Sequence, residues 1–459
     1  MKYHIITLGC QMNLSDTERT RPVIEEMGYR WTDNEEEATL LGILACSVRQ
    51  KAIDKVYTRI SKWNRMKKNR NILTFVTGCI LPADREKFMK LFDIVFPMSE
   101  LAELPEMIKQ YGIVTPASLQ QPAEETLYRN PRLTELKQQA GNLKLNAHIN
   151  DFWHIHPSYT SHFEAFIPIQ NGCDKFCTFC AVPYTRGREV SRPSDEILAE
   201  AERLINQGYK SITLLGQNVN SYGLDKKGTE LTFPKLLEAI GELGNKSGKK
   251  FWVYYTSPHP RDMTPEVIDV MARYDCLAKQ VHLPIQSGDD KMLIRMNRKH
   301  DIASYRKIVH YIREKMPEAT LFTDIIVGFT GETDEQFENT RKVLKEFAYN
   351  MAYIAQYSVR PGATSSRWQD DVPKEVKKER YHRLTQDLQE VSFAWNKKMV
   401  GKTVDVLVRG RERKPEYFSG LTEGKINVRI PAGDESMIGT IIPVKITAAT
   451  PFSLAGEPV

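Results

Sequence analysis

Three cysteines on one short stretch, Cys173-Asp-Lys-Phe-Cys177-Thr-Phe-Cys180, constrain this chain more than any other feature of its 459 residues. Thiols so close together must share one loop, and the fold around them has to leave that loop room to hold something. Cys10, Cys46, Cys79 and Cys276 are dispersed, which makes seven cysteines in all. The first residues, Met1-Lys2-Tyr3-His4, lead into only a short apolar strand, so no secretory leader is expected. An odd cysteine count without such a leader argues against a disulfide framework and for a cytoplasmic location, where clustered thiols serve metal or redox chemistry. No apolar run approaches bilayer length, so no membrane partner is expected. The net charge of +6 permits contact with a polyanion without demanding it.

Hydrophobic periodicity divides the chain into unlike parts. Residues 1–112 alternate strands at Tyr3–Leu8, Thr39–Ala45, Ile72–Thr77 and Asp93–Phe96 with helices. One helix spans Asp16–Met27, and a longer one carries Ala52, Val56, Ile60 and Trp63 on a single face. That order predicts a parallel sheet. Cys10, Cys46 and Cys79 each follow a strand, and in a parallel sheet those positions share the carboxyl edge. Three thiols far apart in sequence are therefore expected to meet, although free cysteine is also a common core residue. Residues 113–165, with Pro116, Pro122 and Pro131, read as a linker with some local structure. Its His148, His154 and His156 have no partner spaced for a metal site and read as surface or packing residues.

Residues 166–398 hold six further strands, at Ala165–Ile169, Ser211–Leu215, Phe251–Thr256, Gln280–Pro284, Leu321–Val327 and Ala352–Tyr357. Helices such as Asp195–Ile205 and Glu335–Phe347 lie between them, and a charged helical connector covers 373–398. Six such units fit a partial (β/α)6 barrel better than an open sheet. Asn218 and His259 stand at predicted strand ends, as do Gln217, Ser257, Gln286, Ser287 and Asp324, the candidate cofactor-binding residues. Residues 399–459 suggest a small β-barrel, with strands at Thr403–Val408, Lys425–Ile430 and Ile441–Thr447. The fold class is α/β: a parallel sheet domain, a partial barrel and a C-terminal β-barrel.

Three adjacent thiolates can wrap one corner of a 4Fe–4S cube and leave one iron open. The amino and carboxylate groups of S-adenosylmethionine can fill that position, and an electron from the cluster then cleaves the sulfonium bond to give a 5′-deoxyadenosyl radical. Structural zinc is the rival reading. It wants four ligands in a closed site, and here the next cysteine is Cys276, with no histidine suitably spaced downstream. Phe176 and Phe179 shield the site or simply pack.

The surroundings of the triplet narrow the choice. Asn171-Gly172-Cys173 and Pro183-Tyr184-Thr185-Arg186-Gly187-Arg188-Glu189-Val190-Ser191-Arg192-Pro193 closely resemble the radical S-adenosylmethionine methylthiotransferase family. So do Gly9-Cys10-Gln11-Met12-Asn13, Val48-Arg49-Gln50-Lys51-Ala52, Thr77-Gly78-Cys79, His282 through Gly288, and Asp324 through Phe329. The resemblance covers nearly all of the chain outside 113–165. Gly9–Asn13 together with Leu214 through Tyr222 is similar to the MiaB branch, which modifies isopentenylated adenosine beside the tRNA anticodon. The tail is similar to the TRAM domain, a small RNA-binding barrel. The resemblance implies two 4Fe–4S clusters, one on Cys10, Cys46 and Cys79 and the radical cluster on Cys173, Cys177 and Cys180. It also implies one S-adenosylmethionine that methylates sulfur and a second that generates the radical abstracting hydrogen from adenine C2. The bottom-up chemistry agrees, because an aromatic C–H offers no proton to ordinary base catalysis.

The expected partners are a tRNA anticodon stem-loop, a small electron-donor protein and a sulfur source, and the expected state is a monomer. Arg409, Arg411, Arg413 and Lys414, on a predicted turn, are candidate RNA-binding residues, with Lys425 and Arg429 on a following strand; the alternative is a solvated charged loop. Cys276 reads as buried and structural. The pattern is broken at Leu44-Ala45, where Asn-Thr is usual, at Ile80-Leu81, at Thr330, where proline is usual, and at Val359. Two other functions stay open: the same transfer to threonylcarbamoyl-adenosine or to a ribosomal-protein aspartate, and a non-catalytic iron–sulfur RNA-binding module.

Overall fold

The computed structural model describes residues 1–47, 50–111, 145–146 and 148–459. Pro116, Pro122, Pro131 and the Val48-Arg49 pair lie outside the described residues. Five strands, β1 (Lys2–Leu8), β2 (Arg30–Trp31), β3 (Leu40–Cys46), β4 (Leu73–Cys79) and β5 (Ile94–Val95), form one parallel sheet in the order β2-β1-β3-β4-β5. Strands β3 and β4 are buried along their whole length, as a parallel sheet covered on both faces requires. One face packs Val23, Ile24 and Met27, the other Val56, Ile60 and Trp63 of helix α2 (Gln50–Met66).

Helix α1 (Gln11–Glu26) starts five residues before its expected position. Its first half buries Asn13, Ser15, Asp16, Glu18 and Arg19, a polar face that hydrophobic periodicity does not flag. That face meets the central unit. Arg19 and Arg192 both pair with Glu200, at 3.2 and 2.5 Å, and Glu18 accepts from the Thr160 N–H at 2.9 Å. Burial alone would raise the Glu200 carboxyl, but the two arginines hold it down to about 2. Part of the expected linker is structured: helix Ile149–His154 buries Ile149, Phe152 and Trp153 in the N-terminal core. His148, His154 and His156 pair with Asp151, Glu196 and Arg203.

The central unit places β6 (Glu164–Pro168), β9 (Ser211–Leu215) and β10 (Trp252–Tyr255) beside β11 (Gln280–His282), β12 (Thr320–Val327) and β13 (Met351–Gln356). A parallel bridge from Val253 to Leu277 joins the two triplets into a six-stranded parallel arc, and a short ribbon of β7 (Gln170–Asn171) and β8 (Val190–Ser191) flanks it. Cys276 is buried in this core with its sulfur against Gly244. The helix Lys374–Lys397 leads into a closed barrel of β14 (Thr403–Arg411), β15 (Tyr417–Thr422), β16 (Asn427–Pro431), β17 (Ile441–Ala449) and β18 (Ser453–Pro458) around Val406, Phe418, Val428 and Ile446. Among the described residues no helix is long and apolar enough to cross a membrane.

Candidate active site

Adjacent parallel strands bring the dispersed cysteines together. Cys46 and Cys79 close β3 and β4 as register partners, and Cys10 caps α1 just beyond β1. Asn13 Oδ1 accepts from the Cys10 N–H at 3.3 Å and from its thiol at 3.5 Å, while Asn13 Nδ2 donates to the Ala45 carbonyl at 3.1 Å. The Cys46 and Cys79 side chains hydrogen-bond each other; that bond and burial push the Cys79 thiol well up, against the pull of Arg186. Arg186 Nε donates to Cys79 Sγ at 3.0 Å.

The clustered cysteines follow β7. Gly172 opens the loop at φ +82, where a Cβ would lie 2.0 Å from the Arg188 carbonyl oxygen. Cys173 and Cys177 are buried and Cys180 half-buried. Arg298 donates to Cys177 Sγ at 3.4 Å and the Val182 N–H to Cys180 Sγ at 3.5 Å. Burial pushes the Cys173 and Cys180 thiols up to about 12 and about 11. Loading a metal on either set therefore means displacing protons. Phe179 packs edge-on to Phe329, whereas Phe176 is exposed beneath the Arg188 guanidinium.

Each set opens on a cavity. Cys173, Cys177 and Cys180 line one of about 170 Å³, with Lys175, Asn218, His259, Gln286 and Arg298. Cys10, Cys46 and Cys79 line one of about 790 Å³, with Arg186, Tyr255, His282, Phe322, Tyr353 and Lys425. Val182, Gln217, Ser257 and Asp324 line both, so the cavities adjoin. Asn218 Oδ1, His259 Nε2 and Arg298 Nε, in residues lining the smaller cavity, are buried without a hydrogen-bond partner. A polar ligand would satisfy such atoms, and three thiols beside them suit an iron–sulfur cube. Among the described residues no three His, Cys, Asp or Glu side chains are grouped to hold a single metal ion.

Of the candidate cofactor residues, Gln217, Ser257, Gln286 and Asp324 line the smaller cavity. Ser287 lines neither of these two cavities: it is fully buried, with its hydroxyl 3.4 Å from that of Thr340. The tail needs correction. Arg409 and Arg411 lie on β14 rather than on a turn, tied to Glu164 at 2.8 Å and Glu435 at 2.9 Å, while Arg413 and Lys414 are exposed on the turn that follows. Lys425 precedes β16 at φ 57, with its ammonium 4.1 Å from the Tyr254 ring centre. Arg429 is on β16 and pairs with Glu412 at 2.7 Å. Arg186, which donates to Cys79, Arg298, which donates to Cys177, and the buried Lys175–Asp262 pair, 2.6 Å apart, lie at the site, although the sequence does not single them out. Lys175 and Arg186 stand in motifs, but nothing in the spacing of Arg186 points to a thiol 107 residues away.

Three family models match the chain: the Radical SAM superfamily over residues 167–344, Uncharacterized protein family UPF0004 over 2–97, and the TRAM domain over 397–459. A tRNA-2-methylthio-N(6)-dimethylallyladenosine synthase of Symbiobacterium thermophilum is 36% identical over 99% of this chain and 94% of its own length. The protein of the same name from Clostridium botulinum is 36% identical over 99% and 96%, and that from Oceanobacillus iheyensis 37% over 99% and 83%. Among solved structures, the radical S-adenosylmethionine methyltransferase TsrM of Kitasatospora setae, with cobalamin and a [4Fe-4S] cluster bound, matches with a TM-score of 0.53 at 13% identity. That match covers 79% of this chain and 73% of TsrM, a likeness of fold.

Proposed function

The chain belongs to the family of tRNA-2-methylthio-N(6)-dimethylallyladenosine synthases, and we propose that it converts N6-(dimethylallyl)adenosine beside the tRNA anticodon into the 2-methylthio derivative. The observation that carries this reading is the pair of adjoining cavities, each lined by one three-cysteine set and sharing Val182, Gln217, Ser257 and Asp324. S-adenosylmethionine and a 4Fe–4S cluster go with the radical SAM match. Cys173, Cys177 and Cys180 are suited to hold that cluster, and Gln217, Ser257, Gln286 and Asp324, with Asn218 and His259, to bind S-adenosylmethionine. Cys10, Cys46 and Cys79 are suited to a second 4Fe–4S cluster. When bound, these groups supply one-electron cleavage of S-adenosylmethionine to a 5′-deoxyadenosyl radical and a site for the sulfur that is methylated.

The residues around the larger cavity do the rest. Tyr255, Phe322, Tyr353 and Met12 offer apolar and aromatic walls for an adenine bearing a dimethylallyl group. A C2–H needs no carboxylate base, and Asp324 is instead paired with His282 at 3.3 Å. Lys425 brings a cation from the C-terminal barrel to the cavity; burial lowers its ammonium to about 8. A small electron-donor protein and a sulfur source complete the reaction in the cytoplasm, with the enzyme as a monomer. The test is an anticodon stem-loop carrying isopentenylated adenosine deuterated at C2. Deuterium should appear in 5′-deoxyadenosine as the methylthio product forms, and methylthio product accompanied by 5′-deoxyadenosine without deuterium would overturn the proposed abstraction.

A further inference from the structure

Arg186 ends the short helix Val182–Arg186, which begins two residues after Cys180, yet its guanidinium reaches across to the other thiol set. Its Nε donates to Cys79 Sγ at 3.0 Å, and Nη1 donates to Asp16 Oδ1 at 3.4 Å and to Asn171 Oδ1 at 3.3 Å. Nη2 pairs with Asp16 Oδ2. Arg186 is 4% exposed and Asp16 fully buried, so this contact is shielded from solvent. Asp16 takes the Nη edge of the guanidinium, which leaves Nε aimed at the sulfur. The cation facing Cys79 therefore comes from the central unit, and the anion that fixes it comes from α1.

We infer that Arg186 is a positioning residue whose charge, delivered from the radical-SAM unit, sets the reduction potential of the group held by Cys10, Cys46 and Cys79. The inference rests on the two-cluster reading above. An added electron makes a thiolate-ligated cluster more negative, and hydrogen bonds to its sulfurs are a principal lever on its potential. A guanidinium at hydrogen-bond distance from a ligating sulfur in a dry interior favours the reduced form, whereas Asp16 opposes it. The potential of the N-terminal site is thereby tied to the docking of the two units.

The experiment uses the full chain, reconstituted anaerobically and titrated electrochemically while electron paramagnetic resonance follows each cluster. Arg186→Met should shift only the N-terminal cluster's midpoint to more negative values. Asp16→Asn should shift it the opposite way, and Arg186→Lys, which keeps the charge, should stay close to wild type. Opposite signs matter because both Arg186→Met and Asp16→Asn loosen the same docking contact. A shift in one common direction would make the effect structural and overturn the inference, as would an unmoved midpoint in Arg186→Met with both clusters present. Iron content separates this failure from that of the underlying reading. Wild type should hold about eight irons and the Cys10, Cys46 and Cys79 triple alanine variant about half. A triple variant that kept all of its iron would remove the second cluster, and the inference with it.

Discussion

Ser257 and Gln286 adopt left-handed backbone conformations, φ 59 and 73, and both line the smaller cavity. Such conformations cost a non-glycine residue about 1–3 kcal/mol and persist where the surroundings over-determine them. Ser257 follows β10 and Gln286 follows β11, so the strain falls where the barrel strands deliver polar groups to the site. Ser257→Gly separates the backbone's need from the side chain's use. It relieves about 1 kcal/mol of strain, offset by glycine's larger unfolded-state entropy of about 0.5–1 kcal/mol. Thermal unfolding should therefore move little, while S-adenosylmethionine affinity, read by equilibrium dialysis, should fall several-fold if the hydroxyl serves the ligand. A variant that binds as well as wild type would remove Ser257 from the cofactor site.

The pairing of β3 with β4 sets Cys46 beside Cys79, and Gly78 is the residue that allows it. Its φ is +108, and a Cβ there would lie 2.4 Å from the Ala45 carbonyl oxygen and 3.0 Å from Asn13 Nδ2. Gly78→Ala should therefore cost about 2–3 kcal/mol and roughly halve the iron content, with the loss confined to the N-terminal set. Full iron in a folded Gly78→Ala protein would mean that this register is not needed for loading. The same element shows what sequence alone can disclose. Strand–cysteine recurrence identifies this edge because buried parallel strands are continuous apolar runs. The start of helix α1 is hidden from periodicity because its buried face is polar, satisfied by Glu200, Arg186 and Thr160 from distant sequence. Strands β15 and β18 are hidden too, because Gly420 and Gly456 sit where a Cβ would meet Val406 and the Lys445 carbonyl, which blurs their alternation. The six clustered or recurrent cysteines are legible; Arg186 and Arg298, whose roles depend on long-range contacts, are not.

At the scale of the whole molecule, residues of all three units line the larger cavity, and the C-terminal barrel is docked rather than tethered. Its turn before β16 meets the amino-end rim of the central arc. The Tyr254 hydroxyl donates to the Glu423 carbonyl at 2.9 Å, the Lys279 N–H to the Glu423 carboxylate at 2.8 Å, and the Thr320 hydroxyl to the Gly424 carbonyl at 2.8 Å. This docking uses Arg409 as well, through Glu164, so part of the expected RNA-binding cluster is committed to holding the barrel in place. Arg411 is partly neutralised by Glu435. Arg413 and Lys414 differ: both are exposed on the turn between β14 and β15. Exposed cations of this kind meet phosphate, which positions RNA without choosing the base. Arg413→Ala with Lys414→Ala should therefore weaken tRNA binding and reduce its salt dependence by about 0.7–0.9 log units for each phosphate no longer neutralised. Arg409→Ala should instead lower the temperature at which the barrel undocks, with a smaller change in salt slope. S-adenosylmethionine cleavage without RNA should persist in the double variant, because neither Arg413 nor Lys414 lines the cavity of either thiol set. The measurement is a salt titration of tRNA binding by wild type and both variants. An Arg413/Lys414 variant with wild-type affinity and slope would show that this turn does not touch the RNA backbone.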